Sequence, residues 1–170
     1  MPVKRILFVC HGNLCRSPMA EGVLRQIAGE AGLTVVVDSA GTGVWTAGAS
    51  PDLRAFEAAE ARGYSLEGIR SRRLSAADFS AFDHVIAMDR ANLAVVRRLA
   101  PAESRADTGL LLRHAGRWLR VQIPDPYTDG RFEHALDLIE HGCRGLVATL
   151  QRKAADQREQ YVSAALPKLR

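Results

Sequence analysis

Cysteine is scarce in this 170-residue sequence, which has only three. An odd and low number argues against a disulfide framework and for a reducing compartment, so a cytoplasmic location is expected. Aromatic residues make up 6% of the chain, and none interleaves with the tightest basic cluster, Arg70, Arg72 and Arg73, as a base-stacking surface would require. The net charge is +4 and most basic residues are arginines scattered along the chain. That balance reads as solvation and attraction for anionic substrates, with no nucleic-acid partner. Long apolar runs are missing too. Ile6 to Cys10, the longest near the start, is too short for a signal-peptide core or a spanning helix, so no membrane association is expected. No internal repeat, low-complexity segment or linker rich in Pro, Gly and Ser is present.

A hydrophobic content of 47% and a charged content of 25% are those of one soluble domain with a real core. Val3 to Val9 predicts a buried strand, followed by a Gly-containing turn. A helix is expected from Ser17 as N-cap and Pro18 at the first helical position, with Ala20, Val23, Leu24 and Ile27 on one face. Leu33 to Val37 predicts a second strand. Ser50-Pro51 predicts another helix start, with the stop near Gly63. His84 to Met88 predicts a third strand, and Asp89 caps a helix with Leu93, Val96 and Leu99 inward. The fourth strand falls at Leu110 to Leu112 or at Trp118 to Val121. Phe132, Leu136, Ile139, Cys143, Leu146 and Leu150 alternate spacings of four and three, the stripe of one long helix. Strands alternating with helices imply an α/β fold: a single-domain, open, twisted parallel sheet of about four strands with helices on both faces. Ligands of such folds sit beyond the carboxyl ends of the strands. The turn between Val9 and Ser17 is therefore the expected site.

That turn reads Cys10-His11-Gly12-Asn13-Leu14-Cys15-Arg16-Ser17. A cysteine six positions before an arginine means little alone, since three Cys and twenty Arg supply about 0.35 such pairs by chance. Its position carries the weight. The cysteine closes a strand, Gly12 and Asn13 tolerate positive φ, and the arginine falls at a helix start. A loop folded this way points backbone N–H groups inward beside a helix dipole, and Arg16 can hold two oxygens of a tetrahedral dianion. The same surroundings favour a thiolate at Cys10, to which Ser17 can donate its hydroxyl. Thiolate attack on a phosphate ester requires a proton for the leaving oxygen. The candidate donor is Asp125 in Ile123-Pro124-Asp125-Pro126-Tyr127, stiffened by two prolines. The competing readings are a buried core cysteine and an ordinary Pro-Asp turn.

Together, Cys10-His11-Gly12-Asn13-Leu14-Cys15-Arg16-Ser17-Pro18-Met19-Ala20-Glu21 and Asp125-Pro126-Tyr127 resemble the low-molecular-weight protein-tyrosine phosphatase family. Asp38-Ser39-Ala40-Gly41-Thr42, Pro51-Asp52, Asp78-Phe79 and Met88-Asp89 fall where that family has similar residues. The resemblance implies a Rossmann-like, phosphotyrosine phosphatase I-like domain over residues 1–154, with 155–170 a polar tail or helix extension. It implies a cysteine-dependent hydrolase acting on phosphotyrosine proteins or small aryl phosphates, as a monomer or weak dimer and without a cofactor. No metal is expected, since the five histidines share no ligand spacing typical of a site. The implied roles are Cys10 as nucleophile, residues 11 to 16 (His11, Gly12, Asn13, Leu14, Cys15, Arg16) as phosphate loop, and Arg16 as phosphate and transition-state ligand. Asp125 is general acid and then general base. Asn13 shapes the loop, Ser17 tunes the thiolate, Ser39 supports Asn13, and Trp45 and Tyr127 wall the cleft. The resemblance also implies that Cys15 pairs with Cys10 under peroxide and shields it from irreversible oxidation, the competing reading being a small residue that only packs.

Two departures from the family pattern stand out. Ile69 occupies the position where the family often has a histidine bonded to the loop asparagine, which removes one support for Asn13, with no evident substitute in the Arg-rich stretch beside it. Thr128 replaces a second aromatic after Tyr127. Two related activities are the main rivals. Arsenate reduction needs relay thiols, and Phe82 to Arg90 holds none, while Cys143 lies on the apolar stripe. Protein-arginine phosphatases carry a threonine where Leu14 stands. A phosphotyrosine-binding module without turnover would not need both Cys10 and Asp125.

Overall fold

The computed structural model describes residues 3–43, 45–116 and 121–165, with side chains as far as Tyr161 in the last helix. β1 (Lys4–Cys10) is flanked by β2 (Val35–Gly41) and β3 (His84–Ala87), and β4 (Asp107–Leu110) completes a parallel sheet in the order β2-β1-β3-β4. Successive strand side chains point to opposite faces. Ile6, Phe8 and Cys10 accordingly join one apolar cluster, built with α1 (Arg16–Glu30), α2 (Leu53–Ala61) and α6 (Phe132–Ala165). Leu7 and Val9 join a second, built with α3 (Asp78–Ala81) and α4 (Arg90–Leu99). Helices on both faces explain why β1 reads as an unbroken apolar run rather than an alternation. The last short helix is α5 (Pro126–Asp129). Among the described residues, no helix is long and apolar enough to cross a membrane.

Several element boundaries differ from the sequence expectation. β2 begins at Val35 and runs to Gly41, because its end is held by Thr42 N–H donating to the Cys10 carbonyl and by Gly41 N–H donating to the Arg72 carbonyl. α1 begins at Arg16, one residue before the expected cap, and the Ser17 side chain makes no cap. Pro18 is then the third helical residue, where an N–H would still lack an intrahelical partner. α2 is capped by Asp52, whose carboxylate accepts from Arg54 N–H, rather than by Ser50. Asp89 caps α4 as expected, accepting from Asn92 N–H at 2.7 Å, and Leu93 and Val96 are buried, but Leu99 is 38% exposed. β4 is the polar stretch Asp107–Leu110, an edge strand that needs no apolar run. Leu111 and Leu112 form a buried 3-10 turn, Leu111–His114, instead of the strand expected there. The alternative placement falls largely on residues 117–120, outside the described residues. Every member of the stripe on α6 is at most 5% exposed, and the helix continues without a break to Ala165.

The strand order decides where a site can form. From β1 the chain passes to β2 on one side, then returns to β3 on the other. At such a reversal the connections leaving β1 and β3 diverge and open a crevice beyond their carboxyl ends. Residues 10–16 and 88–90 therefore face each other, although they are far apart in the chain.

The floor under this region depends on a close helix contact. α6 crosses the 3-10 turn so tightly that a Cβ at Gly145 would collide with the His114 carbonyl oxygen, a backbone atom that cannot rotate away. Gly145→Ala should lower stability by about 1–3 kcal/mol through overpacking. Urea unfolding would check this, and an unchanged midpoint would show that the helix shifts freely.

Candidate active site

The site begins where β1 ends. Cys10 is 2% exposed, and its sulfur receives the Asn13 N–H at 3.3 Å and lies 3.0 Å from the Ser17 hydroxyl. Asn13 makes the turn possible. It has φ +54°, a left-handed conformation that asparagine tolerates better than most residues. Its side-chain amide is fully used. Nδ2 donates to Ser17 Oγ at 2.9 Å and to Ser39 Oγ at 3.0 Å, and Oδ1 accepts the backbone N–H of Arg72 at 2.9 Å. An amide has two donor hydrogens, so the Nδ2 bonds exhaust them and fix its orientation.

The Arg72 contact changes the expectation drawn from Ile69. Ile69 is buried and apolar, so the support that a histidine side chain would give is indeed absent. A main-chain donor takes its place. Arg72 is itself held: its guanidinium bonds Asp38 on β2 and Asp78 at the start of α3. The loop asparagine is braced rather than loosened.

Ser39 passes the arrangement deeper. Its hydroxyl donates to Glu21 Oε2 at 2.5 Å, and Glu21 also pairs with Arg25. Burial pushes the Glu21 carboxyl upward from its usual range, against the opposing effects of Ser39 and Arg25. Ser17 accepts from Asn13 and has one proton with two acceptors, the Cys10 sulfur at 3.0 Å and the Ala40 carbonyl at 3.3 Å. An ionised sulfur is the stronger acceptor and would take that proton.

Arg16 is 2% exposed. Its Nη1 donates to Asp89 Oδ2 at 2.6 Å and to the Ile123 carbonyl at 3.0 Å, and its Nη2 donates to Asp125 Oδ2 at 3.0 Å. Burial works against its charge, but Cys10, Asp89 and Asp125 outweigh that and its pKa is raised. Asp125 divides its oxygens: Oδ1 accepts Tyr127 N–H at 3.2 Å as the cap of α5, and Oδ2 meets Arg16. Ile123 N–H donates to the Met88 carbonyl at 2.9 Å, which fastens the acid-bearing loop to the end of β3. Cys10, Arg16 and Asp125 are thus brought together from the two motifs that the sequence singled out.

The rim is less enclosed than expected. Trp45 is 84% exposed and meets the His11 ring edge-on at 6.1 Å between centroids, while Tyr127 is 55% exposed. His11 leaves no room at Gly43, where a Cβ would lie 2.5 Å from its ring. Leu14 is partly buried against the main core, and its carbonyl accepts Asp52 N–H at 2.8 Å, tying the loop to α2. Cys15 is buried, and burial pushes its thiol up to about 12. Cys143 is fully buried in the apolar stripe of α6, with its sulfur 3.9 Å from the Ala20 carbonyl. Three contributors had no role from sequence. Asp89 was identified as a helix cap and a family-like residue without a role at the site, and Glu21 only as part of the motif. Arg54, two residues after a Pro-Asp pair, gave no signal. Its guanidinium bonds Asp52 and lies over the rings of Tyr127 and Phe132, at 5.3 and 4.7 Å to the centroids.

Comparison with known proteins accords with this geometry. The model of the low molecular weight phosphotyrosine protein phosphatase family matches residues 5–156. The chain belongs to that family. Within it, the low molecular weight protein-tyrosine-phosphatase YfkJ of Bacillus subtilis is 38% identical over 150 residues, covering 87% of this chain and 96% of its own. The crystal structure of YfkJ superposes with a TM-score of 0.86 over 90% of this chain and 98% of its own. A Streptomyces coelicolor member is 42% identical over 156 residues, 88% of this chain and 94% of its own. A structure described as a Drosophila arginine phosphatase is 34% identical, with a TM-score of 0.80 over 85% of this chain and 96% of its own.

The thiols offer a direct test. A group raised to about 12 is ionised to only about one part in 10⁵ at neutral pH. Only thiolates react readily with iodoacetamide. Mass spectrometry after brief alkylation at neutral pH should find Cys15 and Cys143 unmodified in the folded protein and labelled after unfolding. Rapid labelling of Cys15 in the native state would contradict the burial described.

Proposed function

We propose that the protein is a protein-tyrosine phosphatase that hydrolyses phosphotyrosine and other aryl phosphates through a phosphocysteine at Cys10. The carrying observation is the convergence of Cys10 with a buried guanidinium, Arg16, whose Nη2 contacts Asp125 at 3.0 Å. Asp89 and the Ile123 carbonyl hold Nη1 and so fix the guanidinium plane. When a phosphate oxygen takes Nη2, Asp125 is released from its cationic partner. Its Oδ2 is then free to face the leaving oxygen of the ester.

In the first step the Cys10 sulfur attacks phosphorus. The S–P bond forms, the P–O bond to the phenol breaks, and Asp125 gives its proton to the departing oxygen. In the second, Asp125 takes a proton from water as its oxygen attacks phosphorus, the S–P bond breaks, and thiolate and phosphate are regenerated. Little covalent work falls to the protein, so positioning and charge carry the rate. The Asn13 N–H and the Ser17 hydroxyl stabilise the sulfur as nucleophile and later as leaving group.

An aromatic rim of Trp45 and Tyr127 and an apolar Leu14 favour an aryl ester over phosphoarginine. Cys15 serves as resolving thiol: peroxide oxidises Cys10 to the sulfenic acid, which removes the Cys10 charge that helps to hold Cys15 protonated, and the Cys15 sulfur then displaces the oxygen as water to form a disulfide. Three free thiols support a reducing, cytoplasmic setting, and the proposed partners are phosphotyrosine proteins met by a monomer or weak dimer.

Cys10→Ser should abolish p-nitrophenyl phosphate turnover measured without metal. Asp125→Asn should slow phosphotyrosine hydrolysis on the order of 10²–10⁴-fold, with a smaller loss for p-nitrophenyl phosphate, whose leaving group needs less help. Equal losses across leaving groups would remove Asp125 as the acid, and faster hydrolysis of phosphoarginine than of phosphotyrosine would overturn the substrate class.

A further inference from the structure

A cavity of about 350 Å³ adjoins the phosphate loop at His11, and Asp125 is not among the residues that line it. One wall is α4, through Ala91, Asn92, Val95, Arg98 and Leu99, whose spacings of three and four put them on one helix face. The other is the segment after Ile69, through Arg73, which pairs with the end of β2 at Gly41. His11, the residue after the nucleophile, forms the boundary between this cavity and the catalytic loop.

The charge distribution around the loop is lopsided. No acidic residue lines this cavity. Arg73 and Arg98 come from separate elements, both are exposed, and neither has an ion-pair partner among the described residues. On the side of α2 and α5 the charges are paired, Asp52 with Arg54 and Asp125 with Arg16. Arg98 in the last turn of α4 is favourable to that helix by itself. Arg73 has no such explanation, and the two converge on one groove.

We infer that this groove is a specificity site for acidic residues flanking the phosphotyrosine of a protein substrate. The inference rests on the phosphatase reading above and names its substrate class. An extended peptide advances about 3.3 Å per residue. A chain whose phosphotyrosine is seated at Cys10 would carry its neighbours out past His11. Carboxylates on that side meet Arg73 and Arg98, and the apolar stems meet Leu74, Val95 and Leu99. On the other side the Arg54 guanidinium is already taken by Asp52, so the unpaired arginines of this groove give the bound peptide one favoured direction.

The test compares two phosphotyrosine peptides that differ only in having glutamate or glutamine around the phosphotyrosine. At low salt the glutamate peptide should have a kcat/KM about three- to tenfold higher, carried by KM, and the advantage should shrink at high salt as screening sets in. Arg73→Gln with Arg98→Gln should remove the preference while leaving p-nitrophenyl phosphate turnover unchanged, and each single substitution should remove part of it. Equal kcat/KM for the two peptides, or a preference that survives the double substitution, overturns the inference. Affinities of both peptides for the Cys10→Ser protein separate the two levels. Absent p-nitrophenyl phosphate turnover in the unaltered protein would refute the phosphatase reading alone, whereas equal affinities would refute the groove.

Discussion

A guanidinium taken almost wholly out of water, as at Arg16, has to be neutralised where it stands, and the rest of the site is arranged around that requirement. Its three partners come from two separate places: Asp89 at the end of β3, and the Ile123 carbonyl and Asp125 on the loop that returns over the sheet. Removing one partner of a buried pair typically costs about 3–5 kcal/mol, because the other charge is left uncompensated. The half-exposed Asp125 contributes less to this than Asp89, since water screens it. Asp89 is the shielded partner and Asp125 the accessible one, which is what the proposed exchange of Asp125 for a phosphate oxygen at Nη2 requires.

The second constraint is the polar interior of the phosphate loop. Asn13 uses its backbone N–H, both amide hydrogens and its carbonyl oxygen on four different groups. Such a network is stabilising only when every member is satisfied. Here it extends through Ser39 to Glu21 and Arg25, and through Arg72 to Asp38 and Asp78. Loop geometry is therefore tied to β2, α1 and α3 at once. The position held by Ile69 shows that the brace does not depend on one side chain, since a backbone amide supplies the donor.

The strand order turns these local devices into a site. Cys10 and Asp89 lie at the carboxyl ends of neighbouring strands on either side of a reversal, and the same opening gives a ligand access to both. The groove between α4 and the segment after Ile69 is a continuation of that opening, which is why its arginines lie beside the catalytic loop.

By itself the sequence determined the α/β class, the β1 strand, the long stripe of α6 and the two motifs around Cys10 and Asp125, because each is written in local periodicity or in residues close along the chain. Boundaries set by distant hydrogen bonds were not legible. β2 extends to Gly41 because Arg72 pairs with its end, and β4 is an edge strand whose polar residues carry no periodic signal. Ser17 was read both as a helix cap and as a partner of the Cys10 sulfur; the tertiary structure leaves the cap unmade and puts the hydroxyl 3.0 Å from that sulfur. Only the folded chain could decide that Asp89 holds Arg16, that the Arg72 amide braces Asn13, and that Arg73 and Arg98 share a groove. These are pairings across tens of residues, and their energies depend on burial, which no single segment contains.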